Sequence, residues 1–265
     1  MKEIVFLNGK FISKDEAKLS VLEPGFLYGF GLFETMRAYQ KKIVYLGAHL
    51  KRLKNSCKLI ALKCPYSPDK FKRMIKETVK INGFSDTYVR LTLWKSKAGT
   101  DILITAKKYQ PYSPQRYIKG FSARISSLRQ NENSLLGRIK STNYLLCRLA
   151  YLEAKTKGLD EAIILNNRGY IAEGSRSNIF LVKDKALFTP SLQCGCLAGI
   201  TRKVIFDLAK KYKIKICEGN FTIRDLYEAD EAFFTNSLMG VMPLENKCGR
   251  LTKFFIKKYF TLLKF

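Results

Sequence analysis

The chain is poor in histidine, tryptophan and acid. Its 265 residues include one His (His49), one Trp (Trp94) and 22 Asp plus Glu against 48 Lys plus Arg, a formal net charge of 48 − 22 = +26. A single His disfavours hydrolase mechanisms that pair a His base with Ser or Cys, and it disfavours His-rich metal sites. His49 stands at the start of an amphipathic stretch, which reads as a structural position. Cys194-Gly-Cys196 has no second Cys pair and no His at ligand spacing, so no metal is expected. No apolar run approaches the ~18 residues that span a bilayer. The apolar part of Met1–Lys10 is too short for a secretory signal. Seven Cys without such a signal predict reduced thiols in a cytoplasm. Internal repeats and low-complexity tracts are also missing.

What is present is enough apolar material for a core. Hydrophobic residues make up 46% and aromatics 12%, which excludes general disorder despite the charge. The basic residues are scattered in ones and twos, with Lys51-Arg52, Lys107-Lys108, Lys210-Lys211 and Lys257-Lys258 the densest spots. They form no stripe and accompany no zinc-finger, KH or RRM pattern, so a nucleic-acid binder is a minor reading. A diffuse positive field can still attract small anionic ligands.

Asn8-Gly9 between two short apolar runs predicts a hairpin. Tyr28–Tyr39 reads as a long strand, turned at residues 40–42 into Ile43–Leu46. Residues 47–62 switch to helical period. Ser67-Pro68-Asp69 is a helix start, with Ser as N-cap and Pro at the first position, and the helix is expected to stop near Gly83. Thr87–Lys95 alternates: Val89, Leu91 and Leu93 share one face, and Tyr88, Arg90, Thr92 and Trp94 the other. Two prolines in Tyr109–Gln115 mark the best linker. This predicts a small N-terminal α+β domain over 1–110, a linker over 111–118 and a larger domain over 119–265. The larger domain is expected to open with a strand over Tyr117–Ser126. It continues with a helix near 142–156, a hairpin over 161–173, further strands, a helix from Ile200 and a closing helix over Ile256–Phe265. The class is α+β, in two α/β domains joined by a short linker.

Four segments could carry chemistry. Lys140, in Arg138–Tyr144, joins a polar stretch to a helix; a desolvated lysine there is a nucleophile toward aldehydes, although most lysines are simply solvated. Glu173 ends a strand and could hold a protonated ring nitrogen, or could be an ordinary turn acid. Gly199-Ile200-Thr201 leads into a helix whose free N–H groups make a phosphate cup, or a simple N-cap. Asn236-Ser237-Leu238 offers amide and hydroxyl groups at a tight turn after a strand, again suited to an anion.

In order and spacing these pieces resemble the fold-type IV, class IV pyridoxal-phosphate enzymes, over nearly the whole chain. The carriers are Tyr28–Arg37, His49–Leu53, Lys140–Asn143, Gly158–Ala162, Glu173–Phe180 and Gly199–Arg202. The resemblance implies pyridoxal 5'-phosphate as cofactor, with Lys140 as the lysine that links to it and shuttles protons. It also implies Glu173 as partner of the pyridine nitrogen, Arg52 reaching the phosphate, Ile200 and Thr201 as the phosphate cup, and Ser237 at a second anion contact. Tyr144 matches a tyrosine that touches the cofactor's phenolate oxygen. Substrate contacts are implied at Phe33, Arg37, Tyr88, Arg90, Asn236 and Leu238. A homodimer acting on a small anionic amino substrate follows from the same source.

Within the family, Phe33-Glu-Thr-Met-Arg37 with Thr235-Asn-Ser-Leu-Met239 looks more like aminodeoxychorismate lyases, which form 4-aminobenzoate and pyruvate. The alternative is an aminotransferase for branched-chain or D-amino acids with 2-oxoglutarate. A basic nucleic-acid-binding protein on the same fold is the third reading. One departure from the family pattern is Phe30, where an acid is usual.

Overall fold

A computed structural model describes residues 3–263. The chain divides into two compact units, Met1–Pro111 with Ile139–Asn143, and Tyr112–Arg138 with Tyr144–Phe265.

In the first unit, β1 (Ile4–Leu7) and β2 (Lys10–Ser13) form the expected hairpin, with Asn8 and Gly9 both at positive φ. A short helix α1 (Pro24–Leu27) follows. Tyr28–Phe30, expected in a strand, instead lead from α1 into β3 (Gly31–Tyr39). Gln40 and Lys41, at φ 47 and 65, turn the chain into β4 (Lys42–Ile43). Helices α2 (Leu46–Leu59) and α3 (Pro68–Asn82) precede the long hairpin of β5 (Asp86–Ser96) and β6 (Gly99–Lys108). The Ser67 hydroxyl accepts the Lys70 N–H at 3.3 Å, and Gly83 closes α3 at φ 70. The six strands lie in the order β2-β1-β6-β5-β3-β4.

One face of this sheet is apolar. Leu32, Met36 and Ala38 of β3, with Val89, Leu91 and Leu93 of β5, pack against Leu50 and Leu53 of α2 and Phe71, Ile75 and Val79 of α3. Apart from Ala38, each such side chain contributes about 1.5–3 kcal/mol on burial. Phe30 also packs against this core. The opposite face carries Phe33, Thr35 and Arg37, whose cross-strand partners are Thr92, Arg90 and Tyr88.

The second unit begins inside the segment expected to be a linker. Residues 114–119 form helix α4 (Pro114–Lys119), capped by the Ser113 hydroxyl on the Arg116 N–H at 3.3 Å. This displaces the strand expected at Tyr117–Ser126 to β7 (Ala123–Gln130). Then come α5 (Leu135–Arg138), α6 (Leu145–Lys155), β8 (Glu161–Asn166), β9 (Ile171–Gly174), β10 (Asn178–Lys183) and β11 (Ala186–Pro190). The chain continues through α7 (Ile200–Lys211), β12 (Ile216–Gly219), α8 (Ile223–Glu228), β13 (Glu231–Asn236), β14 (Gly240–Pro243) and α9 (Arg250–Leu263). The last two residues of the expected closing helix lie outside the described residues. One sheet runs β12-β11-β10-β13-β14 and the other β7-β8-β9. Among the described residues no helix is long and apolar enough to cross a membrane.

Candidate active site

Lys140 belongs to the first unit, although the sequence around it is in the second. The reason is backbone pairing at the edge of β3. The Phe33 N–H donates to the Lys140 carbonyl at 2.9 Å, the Thr142 N–H donates to the Gly31 carbonyl at 2.9 Å, and Leu32 bridges Ser141. A lysine fixed on a sheet edge projects from a rigid base. Gly29 anchors the end of the segment. Its carbonyl accepts from the Thr142 hydroxyl at 2.6 Å and the Asn143 amide at 2.8 Å. At φ +61, a Cβ on Gly29 would stand 2.7 Å from Asn143 Oδ1.

The Lys140 side chain lies over the aromatic ring of Phe33, with Nζ 4.6 Å from its centroid. The Arg90 guanidinium lies 3.8 Å from the same centroid. An amine and a guanidinium thus share one ring on the sheet face opposite the core. Arg37, farther along that face, makes a bidentate pair with Asp86, Nε–Oδ1 2.7 Å and Nη2–Oδ2 2.8 Å. Tyr88 is its cross-strand neighbour.

Arg52 is held from the core side. Strand alternation puts Glu34 on the apolar face, where it is buried, and α2 brings His49 and Arg52, three residues apart, to meet it. Arg52 Nε and Nη2 reach the two Glu34 oxygens at 2.8 and 2.6 Å, and His49 Nδ1 lies 2.7 Å from Oε2. Burial alone would raise the Glu34 carboxyl, but the Arg52 charge, its hydrogen bonds and His49 outweigh it and hold the group at about 2. Burial lowers His49, with Glu34 only partly opposing. The imidazole is therefore neutral at pH 7 and donates from Nδ1 to the carboxylate. His49 is structural, as its position suggested.

The second unit carries the other expected residues. Glu173, at the end of β9, is half-buried. Its Oε2 accepts the Leu197 N–H at 3.1 Å and lies 3.4 Å from Asn178 Nδ2. Asn178 also donates to the Leu197 carbonyl at 2.8 Å, lacing residues 197–199 to the start of β10. Gly199 precedes α7 in extended conformation, and no side chain caps that helix. A Cβ on Gly199 would fall 1.9 Å from Asn178 Oδ1, so a side chain there must displace that amide. No side-chain hydrogen bond caps the first N–H groups of α7, at Ile200 and Thr201. A cavity of about 360 Å³ is lined by Cys196 and Ala198 of the preceding loop with Arg138, Leu192 and Gln193.

Tyr144, half-buried at the start of α6, donates its O–H to the Ser175 carbonyl at 2.8 Å. Burial pushes its phenol well above the ordinary tyrosine value, and the charges of Glu173 and Glu161 add to that. Asn236 shapes the turn after β13. Its Oδ1 accepts the N–H groups of Leu238 and Met239 at 3.0 and 2.9 Å, and its Nδ2 donates to the Arg176 carbonyl at 3.2 Å. Ser237 and Leu238 ride on that turn. Sequence reasoning did not single out Glu34, Asn178 or Gly199's packing role. An acid in the core-facing phase of β3, with the one His and an Arg at helical spacing after it, was the available signal.

Residues 31–246 match the profile of the family Amino-transferase class IV. The chain belongs to the class IV aminotransferase family. A branched-chain-amino-acid aminotransferase of Pseudomonas aeruginosa is 33% identical over 263 residues, covering 93% of this chain and 85% of that one. An aminodeoxychorismate lyase of Bacillus subtilis is 30% identical over 249 residues, covering 91% and 85%. Among solved structures, a branched-chain aminotransferase of Thermoproteus uzoniensis with norvaline superposes with TM-score 0.93 at 33% identity, covering 99% and 95%. A T.th. branched-chain aminotransferase with pyridoxamine 5'-phosphate gives 0.93 at 30% identity, covering 99% and 94%. The fold is the fold-type IV architecture that the motifs implied. Enzymes of this family depend on pyridoxal phosphate. The relatives back the aminotransferase better than the lyase, reversing the preference drawn from Thr35 and residues 235–239. Those short segments report local shape, whereas identity across the chain samples the whole molecule.

Proposed function

We propose that this protein is a pyridoxal-phosphate-dependent aminotransferase that moves the amino group of branched-chain amino acids to 2-oxoglutarate. The observation that carries the substrate class is the arrangement on the open face of β3 and β5. There, one ring, Phe33, stands beside both the Lys140 amine and the Arg90 guanidinium. An apolar wall, a carboxylate-binding cation and an amine suit a small amino acid with a hydrocarbon side chain.

The donor set fits the cofactor. Lys140 offers an amine on a rigid edge. Glu173 offers a half-buried carboxylate fixed by Leu197 and Asn178. A helix start without a side-chain cap, behind a glycine whose Cβ would displace Asn178, suits a phosphate. Lys140 would hold the cofactor, Glu173 its ring nitrogen, Ile200 and Thr201 its phosphate with Arg52, and Ser237 a second anion contact. When bound, the cofactor supplies an aldehyde that takes up the substrate amine and a cationic ring that accepts an electron pair.

The chain's own residues do the rest. Glu173, as an anion, favours a protonated ring nitrogen. Lys140 Nζ takes the proton from the carbon bearing the amine and returns it, without a diffusional step, because the sheet edge holds it in place. Arg90 is proposed to grip the substrate carboxylate, and Arg37, Tyr88, Asn236 and Leu238 are proposed as further substrate contacts. Glu34 keeps Arg52 from swinging away from the phosphate. Tyr144 donates its O–H proton to the Ser175 carbonyl, so beside the cofactor it would offer its ring rather than a donated proton.

The B. subtilis relative keeps the lyase as the second reading. One assay separates the two. Leucine, isoleucine or valine with 2-oxoglutarate should yield the branched-chain oxoacid and glutamate. Aminodeoxychorismate converted to aminobenzoate, without amino transfer, overturns the aminotransferase. A homodimer is inferred with the function: Leu145, Leu149 and Leu152 form an exposed apolar stripe on α6 that a second copy would cover. We infer a cytoplasmic location, from seven cysteines in a chain whose start carries too short an apolar run for a secretory signal.

A further inference from the structure

Four residues of the second unit converge on one tight turn, Gly174–Ser177. Tyr144 donates to the Ser175 carbonyl, Asn236 donates to the Arg176 carbonyl, and Glu173 and Asn178 flank the turn on either side. The turn closes on itself through the Gly174 N–H and the Ser177 carbonyl at 2.7 Å. What lies beneath it is Glu161, at the start of β8, with 0% of its surface exposed.

The Glu161 carboxylate accepts from both hydroxyls of the turn, from Ser175 and, at 3.1 Å, from Ser177, and from the Ala162 N–H at 3.0 Å. Arg176 Nε stands 3.9 Å away, with its guanidinium stacked 3.8 Å from the centre of the Tyr151 ring. A buried acid with this many directed donors costs a protein stability unless its partners stay in place, so it and the turn define each other's position. Burial pushes the Glu161 carboxyl above the ordinary range, while Arg176 and the serines pull it back.

We propose that Glu161 is a positioning residue for the cofactor half-site: through the Ser175 and Ser177 hydroxyls it fixes the 174–177 turn, and through the turn it orients Tyr144, Asn236 and the Glu173–Asn178 pair. This rests on the pyridoxal-phosphate reading above. Glutamine at 161 can reproduce the network. Its carbonyl accepts from Ser175 and Ala162, and its amide donates to Ser177, whose hydroxyl then acts as acceptor. Alanine cannot.

The test compares wild type, Glu161→Gln, Glu161→Ala and Ser175→Ala as holoenzymes. Ser175→Ala is the mild variant, leaving Glu161 with Ser177, Ala162 and Arg176 if Glu161→Ala fails to fold. Two readouts are used: the near-violet band of the bound cofactor with its retention on dialysis, and amide exchange over residues 173–178. The expected result is a displaced band, roughly tenfold weaker retention and roughly tenfold faster exchange in the turn for the alanine variants, with glutamine restoring all three. Alanine variants with the wild-type band and wild-type exchange overturn the proposal. A wild-type protein with no cofactor band overturns the functional reading instead, and the exchange data then still decide whether Glu161 fixes the turn.

Discussion

Glu34 grips Arg52 through both carboxylate oxygens, at 2.8 and 2.6 Å, inside the core face of a sheet whose other face carries Lys140 and Phe33. Relative to an apolar pair of the same shape it gains little, since desolvation offsets most of its attraction, but removing one partner strands the other charge. Its use is geometric. A guanidinium held at two points keeps its remaining N–H groups in one direction.

The pair also has an acid signature. Glu34 titrates near 4.5 in the unfolded chain and at about 2 in the folded one. Its contribution is present above pH 4.5 and is lost as the pH falls toward 2, at roughly 3 kcal/mol in all. Glu34→Gln should therefore flatten the acid limb of unfolding and, by leaving Arg52 without its anion, lower stability by about 3–5 kcal/mol. Urea titrations at several pH values measure both. Identical acid limbs for the two proteins would show that the pair does not carry this linkage.

Gly199→Ala places a methyl group 1.9 Å from Asn178 Oδ1. The backbone there, at φ −67, suits alanine, so the effect is steric. Displacing Asn178 frees both Glu173 and the loop at Leu197. The expected outcome is a folded protein that loses cofactor about tenfold more readily, or worse. Dialysis against phosphate buffer, followed by absorbance, checks it. Unchanged retention would separate the α7 start from the cofactor.

Arg90→Met keeps the stacked length over Phe33 but removes the charge. A charge-assisted contact contributes about 1.5–3 kcal/mol, so KM for both amino acid and oxoacid should rise roughly 10- to 100-fold. The cofactor spectrum should stay as it was. A drop in kcat with KM unchanged would move Arg90 out of substrate binding.

Much of this was legible in the chain. Ser67-Pro68-Asp69 and Gly83 mark α3 because capping is local chemistry. The same Ser-Pro signal stands at Ser113-Pro114 and marks α4, although two prolines so close together also read as a linker. Lys140 and Glu173 stand out in the chain through the motifs that carry the proposal. Glu34 and Glu161 are not, because a buried acid declares itself only when distant partners close on it: Arg52 and His49 for one, Ser175 and Ser177 for the other. The attachment of residues 139–143 to β3 is likewise a long-range pairing with no local sign.

Absorbance of the purified protein, before and after borohydride, tests the central claim most directly. Wild type should show a near-violet band that borohydride fixes covalently, with the label recovered on the peptide containing Lys140. Lys140→Ala should show neither the fixed label nor amino transfer. A label on another lysine, or a band that survives in Lys140→Ala and is still fixed by borohydride, would contradict the assignment.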